Sequence, residues 1–155
     1  GYSPRQRLDV VVNILTNLAY HTGKISIFGG QQLRPNIHIK DMARSYLTLI
    51  KMPDNKISGK FFNVGFENHS VNDLGQQVID VVGSHVKVDR LETNDNRSYH
   101  ISSKKIADEI GFSPIFTIRD AIVDLKEAFD KGLLENSLQN EFFFNIKRMQ
   151  SINLN

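Results

Sequence analysis

The sequence predicts an α/β fold, and three observations carry that reading. Apolar residues recur at helical spacing in one set of segments and form short runs or alternations in another. The two kinds of segment follow each other along the chain, the arrangement of sheet-and-helix folds rather than bundles or sandwiches. Capping residues and glycines stand where one kind gives way to the next.

Taken in order, Ser3 caps a first helix, with Pro4 at a position where its missing N–H costs nothing. Leu8, Val11, Val12, Leu15, Leu18 and Ala19 follow at helical spacing, and Gly23 ends the run. Residues 25–28 (ISIF) and 36–39 (NIHI) read as strands, with His38 inside the second. A helix over 41–51 carries Met42, Ala43, Tyr46, Leu47, Leu49 and Ile50. After a loop, 60–65 (KFFNVG) reads as a strand, with Asn63 at a mid-strand position where Asn is disfavoured. Ser70 and Asp73 form a capping box ahead of a helix through Val71, Leu74, Val78 and Val82. Residues 85–91 alternate like a strand, and 97–101 (RSYHI) are short and extended. Ser102 or Ser103 opens a short helix that ends at Gly111. Thr117 caps a last helix through Ile118, Ala121, Ile122, Leu125 and Phe129, which stops at Gly132. Residues 133–155 form a C-terminal tail with an FFF cluster and no clean period.

Composition narrows the function classes. With 40% hydrophobic and 23% charged residues, the 155-residue chain has enough apolar content for one core and is not a disordered segment. No apolar run approaches the ~20 residues of a membrane span. A formal net charge of +2, evenly spread, argues against a nucleic-acid partner. The absence of cysteine removes disulfides, a thiolate nucleophile and Cys-based zinc sites, and fits a cytoplasmic location. The opening residues, GYSPRQR, look like the middle of a protein.

No G-x-G-x-x-G loop, G-x-x-x-x-G-K-[ST] loop, H-E-x-x-H pair or G-x-S-x-G elbow is spelled out. Tyr20 and Lys24 have Y-x-x-x-K spacing, but that pair works only with helix through both residues, and Gly23 lies between them. His38, between Ile37 and Ile39, reads as a half-buried strand residue with a hydrogen-bonded ring rather than a catalytic base. Arg34 follows GGQQL, and Arg97 follows the polar loop TNDN. Their planar guanidinium groups suit a diphosphate, because each donates a paired fork to oxyanions. Pattern alone favours two solvated surface charges over a diphosphate clamp.

Four blocks in order resemble the NAD-dependent epimerase/dehydratase family: SPRQRLDVVVN, GGQQLRPNIHIKDMARSYL, GKFFNVG, and NRSYHISSKKIADEIGFSP followed by TIRDAI. These are extended short-chain dehydrogenases that act on nucleotide-sugars. The resemblance covers residues 1–132 and implies their C-terminal, substrate-binding half. It implies that Arg34 contacts the nucleotide diphosphate, that Asn13 helps hold the nucleotide-sugar, and that Arg97 is a second phosphate-binding Arg. Asn68 and Asn63 are weaker carry-overs. It implies NAD or NADP as cofactor, bound mainly by an N-terminal half, and a homodimer for the whole protein. No catalytic residue is expected in this chain, because the family's glycine-rich loop and Tyr/Lys pair precede its first residue. The strand at 60–65 is expected to join the sheet of that other half, leaving Phe61, Phe62 and Val64 without partners here. Two other readings remain open: a binding or regulatory module of the same fold, and a reductase of the superfamily with a non-nucleotide substrate.

Overall fold

In a computed structural model, which describes residues 1–94 and 97–154, helices and strands alternate as expected. The main helices are α1 (Val11–Thr22), α2 (Ile39–Ile50), α4 (Val71–Val82), α5 (Lys104–Ile110) and α6 (Ile118–Asp130). Shorter turns form α3 (Asp54–Ile57) and α7 (Asn145–Ser151). The strands pair in two small sheets among the described residues. β1 (Lys24–Phe28) and β4 (Lys87–Leu91) run parallel, with Ile25 opposite Val88. β2 (Leu33–Asn36) and β3 (Glu67–Ser70) run antiparallel, with Arg34 opposite His69. No helix is long and apolar enough to cross a membrane among the described residues.

The main core lies where α1, α4 and α6 meet β1. Leu15 and Ala19 of α1, Leu74 and Val78 of α4, and Ile122 of α6 close over Ile25 and Ile27. Close approach of α4 to β1 depends on Gly75, where an added Cβ would come within 2.6 Å of Ile27 Cδ1. The expected capping box forms at Ser70, and the expected cap at Thr117 proves to be a second capping box. Ser70 Oγ accepts from Asp73 N–H at 3.1 Å, and Thr117 Oγ1 accepts from Asp120 N–H at 3.1 Å. Gly23 ends α1 in the left-handed region, with φ of 64°.

Two expected boundaries are corrected. The first helix begins at Val11, not near Ser3. Residues 3–9 have other partners: Ser3 N–H donates to Gln6 Oε1 at 2.9 Å, and Leu8 N–H donates to Phe143 O at 2.8 Å. A backbone held by a distant segment cannot also close helical turns. The second strand ends at Asn36, so His38 is not a strand residue but the N-cap of α2. Its Nδ1 accepts from Lys40 N–H at 3.1 Å. Residues 60–65 pair with no strand among the described residues, yet their alternation persists. Phe61 is 89% exposed, whereas Phe62 and Val64 pack on the cluster of Ile106, Ile110 and Phe112. Of the three residues expected to lose partners, only Phe61 does so. The residues after 132 also fold back: Leu134 is buried against Leu8 and Phe129, and Ser137 Oγ donates to the buried Asn17 Oδ1 at 2.6 Å.

Asp41 ties α2 to the approach to α6. Its carboxylate is fully buried, and one oxygen accepts from Ile115 N–H and Phe116 N–H at 2.8 Å each. The other accepts from Arg44 Nη1. A buried carboxylate is tolerated only when its lone pairs are filled in this way.

Asp41→Ala should therefore lower unfolding free energy by about 3 kcal/mol or more, because two backbone N–H groups and a guanidinium lose a buried, charged acceptor. Urea denaturation checks this, and a loss under about 1 kcal/mol would contradict the account. At the exposed alternation, Phe61→Ser should leave stability within about 0.5 kcal/mol, while Phe62→Ala should cost at least about 1.5 kcal/mol.

Candidate functional site

A cleft of about 650 Å³ lies between the irregular 3–9 segment, the start of α1, β2 and the start of α2. Its apolar floor comes from Val11, Val12, Ile37, Ile39, Met42 and Ile118. Its polar rim carries Arg5, Arg7, Asn13, Arg34 and Asn36, with the Tyr99 ring beside them. Among the described residues three arginines and no carboxylate line it, a charge that favours an anion, while its floor favours an apolar or ring-bearing portion.

Arg34 is carried by β2, and its head is directed by the neighbouring 97–101 segment. Nη1 donates to Leu33 O at 2.9 Å and to Arg97 O at 2.5 Å. The guanidinium carbon lies 5.5 Å from the centre of the Tyr99 ring, within cation–π range. That segment is itself held on the edge of β2, where Leu33 N–H donates to Ser98 Oγ at 2.9 Å. Arg34 and Arg97 are thus linked through the Arg97 carbonyl, and the Arg97 side chain is not among the lining groups.

Asn13 lines the cleft, and its Nδ2 donates to Arg7 O at 2.7 Å, fixing the 3–9 segment to α1. Asn68 lies off the cleft lining. Both ends of its amide are engaged by Ile101, whose O accepts from Nδ2 at 3.1 Å and whose N–H donates to Oδ1 at 3.0 Å. Asn63 is exposed in the 60–65 segment, also off the lining. The site residues expected from sequence therefore divide: Asn13 and Arg34 meet at the cleft, while Arg97 reaches it through its backbone. Arg5, Arg7 and Tyr99 line it without having been singled out. The available signal was the R-x-R spacing in SPRQR and the aromatic in RSYHI.

Asp9, beside the cleft, is held by its neighbours. Burial pushes its carboxyl up, but hydrogen bonds from the Arg7 side chain and the Asn145 backbone together hold it below the ordinary 3.8. Tyr20 and Lys24 do not form a proton-transfer pair. Tyr20 Oη donates to Asp130 Oδ1 at 2.7 Å, a contact that raises the phenol above its ordinary value. Lys24 lies in β1 and pairs with Asp89 at 2.6 Å. Tyr20 and Lys24 thus have partners other than each other, and no redox step is assigned to them.

Behind the cleft wall, between Ile37 and Ile39, the His38 ring is fully buried against Phe116, with centroids 5.0 Å apart. Because Nδ1 accepts from Lys40 N–H, the neutral ring carries its proton on Nε2, which lies 3.2 Å from Asp124 Oδ2. Burial holds its pKa below the ordinary 6.5, against the opposing pull of Asp124.

The chain is thus an α/β unit with an arginine-rimmed cleft. Residues 1–65 match the model of the NAD dependent epimerase/dehydratase family. That stretch holds the first three of the four sequence blocks, and the resemblance read from them is borne out there. UDP-glucose 4-epimerase from Thermotoga maritima, solved with UDP-glucose, has a TM-score of 0.72 at 22% identity, covering 85% of this chain and 44% of that one. UDP-glucuronic acid 4-epimerase from Bacillus cereus, solved with UDP-glucuronic acid and NAD, has a TM-score of 0.72 at 22% identity, covering 84% and 42%. dTDP-glucose 4,6-dehydratase from Bacillus anthracis, in complex with NAD, has a TM-score of 0.68 at 16% identity, covering 94% and 44%. The chain thus shares an α/β fold with these enzymes over less than half of their length.

The buried, neutral His38 generates a pH prediction. Its contribution to stability is complete above about pH 6.5 and declines as pH falls below that value, because the unfolded chain then binds the proton more readily. His38→Asn keeps a capping acceptor but cannot titrate. Between pH 7.5 and 5, melting temperature should fall less steeply for His38→Asn than for the native chain. Parallel slopes would show that His38 is not the group responsible.

Proposed function

We propose that this chain is the substrate-binding portion of an NAD(P)-dependent nucleotide-sugar epimerase or dehydratase, with the nucleotide-sugar in the arginine-rimmed cleft. The observation that carries this reading is the cleft itself: Arg34 lines it together with Asn13, Tyr99 and two further arginines, over an apolar floor. A diphosphate supplies the anion for such a rim, and a nucleoside supplies rings for such a floor. The family match over residues 1–65 adds support, since it spans Asn13 and Arg34.

In this reading Arg34 donates to the diphosphate, and Arg97 provides the carbonyl that directs Arg34 as well as a second cation nearby. Asn13 holds the wall on which Arg5 and Arg7 stand. Asn68 acts indirectly, by fixing Ile101 and so the run from Arg97 to Ile101. NAD or NADP is held mainly by protein outside these 155 residues, and hydride transfer takes place there. The complete protein works as a homodimer in the cytoplasm. The likeness of this fold to the epimerases and the dehydratase is what favours these assignments over a non-catalytic module.

The test is internal to one variant of the protein as the cell makes it. A charged hydrogen bond contributes about 1.5–3 kcal/mol, and about 1.4 kcal/mol is a decade in affinity. Arg34→Ala should therefore weaken UDP-glucose or dTDP-glucose binding at least about tenfold and leave NAD affinity within about twofold. Arg34→Lys should recover only part of the loss, because an ammonium keeps the charge without the planar fork. Calorimetric titration of each ligand decides it. An unchanged sugar-nucleotide affinity, or an equal loss for both ligands, would make Arg34 a folding residue.

A further inference from the structure

Asn145 governs both arginines on the 3–9 wall of the cleft. Its Oδ1 accepts from Arg5 Nη2 at 3.2 Å. Its backbone N–H donates to Asp9 Oδ2 at 3.0 Å, and the other oxygen of Asp9 accepts from Arg7 Nε at 2.9 Å. One residue of the C-terminal segment thus reaches Arg5 directly and Arg7 through a carboxylate. The same segment grips the wall twice more. Leu8 N–H donates to Phe143 O at 2.8 Å, and the Arg5 guanidinium carbon lies 6.0 Å from the centre of the Phe142 ring.

The two arginines are held in chemically different ways. Arg7 faces a carboxylate, which orients it and also offsets its charge. Arg5 has no acidic partner among the described residues; its partners are the Gln6 carbonyl, the Asn145 amide oxygen and an aromatic face. A neutral acceptor orients a guanidinium without cancelling its charge, and a side chain already oriented loses less freedom when it grips a ligand. Arg5 therefore stands at the cleft rim both positioned and fully charged.

We propose that Asn145 is a positioning residue for the cleft, holding Arg5 in readiness for the anionic part of a bound ligand. The proposal rests on the cleft being the nucleotide-sugar site, and it assigns the C-terminal segment a part in binding. Arg5 is the group that meets the ligand; Asn145 acts only through it.

A double-mutant cycle on the protein as the cell makes it tests this, with UDP-glucose and dTDP-glucose as probes. Arg5→Gln should weaken the better-bound probe at least about fivefold, by the loss of a charged donor. Asn145→Ala should weaken it at least about threefold in the native background, yet by less than about 1.5-fold when Arg5→Gln is already present. Asn145→Ser, whose shorter side chain cannot reach Arg5, should behave like Asn145→Ala and provides a second variant if that one folds poorly. The salt dependence of binding should become shallower with Arg5→Gln and stay as in the native protein with Asn145→Ala, which keeps the charge. Losses that add across the cycle, or an Asn145→Ala affinity equal to native, would overturn the proposal while leaving the site reading intact. If the native protein binds neither probe, the site reading fails and the proposal fails with it.

Discussion

The buried carboxylate of Asp41 is the constraint on which the arrangement around the cleft depends. It stands in the first turn of α2, fully removed from solvent, and its acceptor positions are filled by Ile115, Phe116 and Arg44. Two consecutive backbone N–H groups on one carboxylate oxygen leave the 112–117 loop little freedom. That loop delivers Thr117 as the cap of α6 and Phe116 as the partner of the His38 ring. Ile118, the first residue of α6, closes both the main core and the cleft floor. Glu67 adds a second anion at this point, accepting from Ile118 N–H at 2.5 Å and so joining β3 to the same corner. Anions at a helix start are favoured by the exposed N–H groups and the helix dipole.

The legible parts of the fold were those that local chemistry determines. Ser70 with Asp73, and Thr117 with Asp120, form the capping boxes that their spacing requires. Gly23 and Gly111 end their helices in the left-handed region. The illegible parts were decided by residues far away in sequence. Nothing near Leu8 indicates that its N–H is taken by Phe143, so the helix appeared to begin seven residues early. His38 looked like a strand residue because apolar neighbours flank it, although its ring caps the helix that follows. Residues 60–65 kept their alternation without a paired strand, since sequence reports which side is buried but not whether an edge is filled.

The candidate site divides along the same line. Arg34 and Asn13 were legible because each belongs to a block whose residue order resembles a family, and both meet at one cleft. Arg5 and Arg7 were not singled out; the irregular 3–9 segment, rather than a helix, carries both at the cleft. Arg97 and Asn68 lie off the cleft lining. One directs Arg34 through its carbonyl, and the other secures Ile101 with both ends of its amide.

The Arg5–Asn145 contact joins positions 140 residues apart. During synthesis, residues 3–9 leave the ribosome long before the segment that orders them, and α1 has time to pack with β1 while the wall beside it still lacks its partner. Contacts of such long range form late, because the intervening loop must first be closed. The main core uses residues 12–122, whereas the arginine wall takes its partners from 142–145, so the wall depends on a segment that the core does not need.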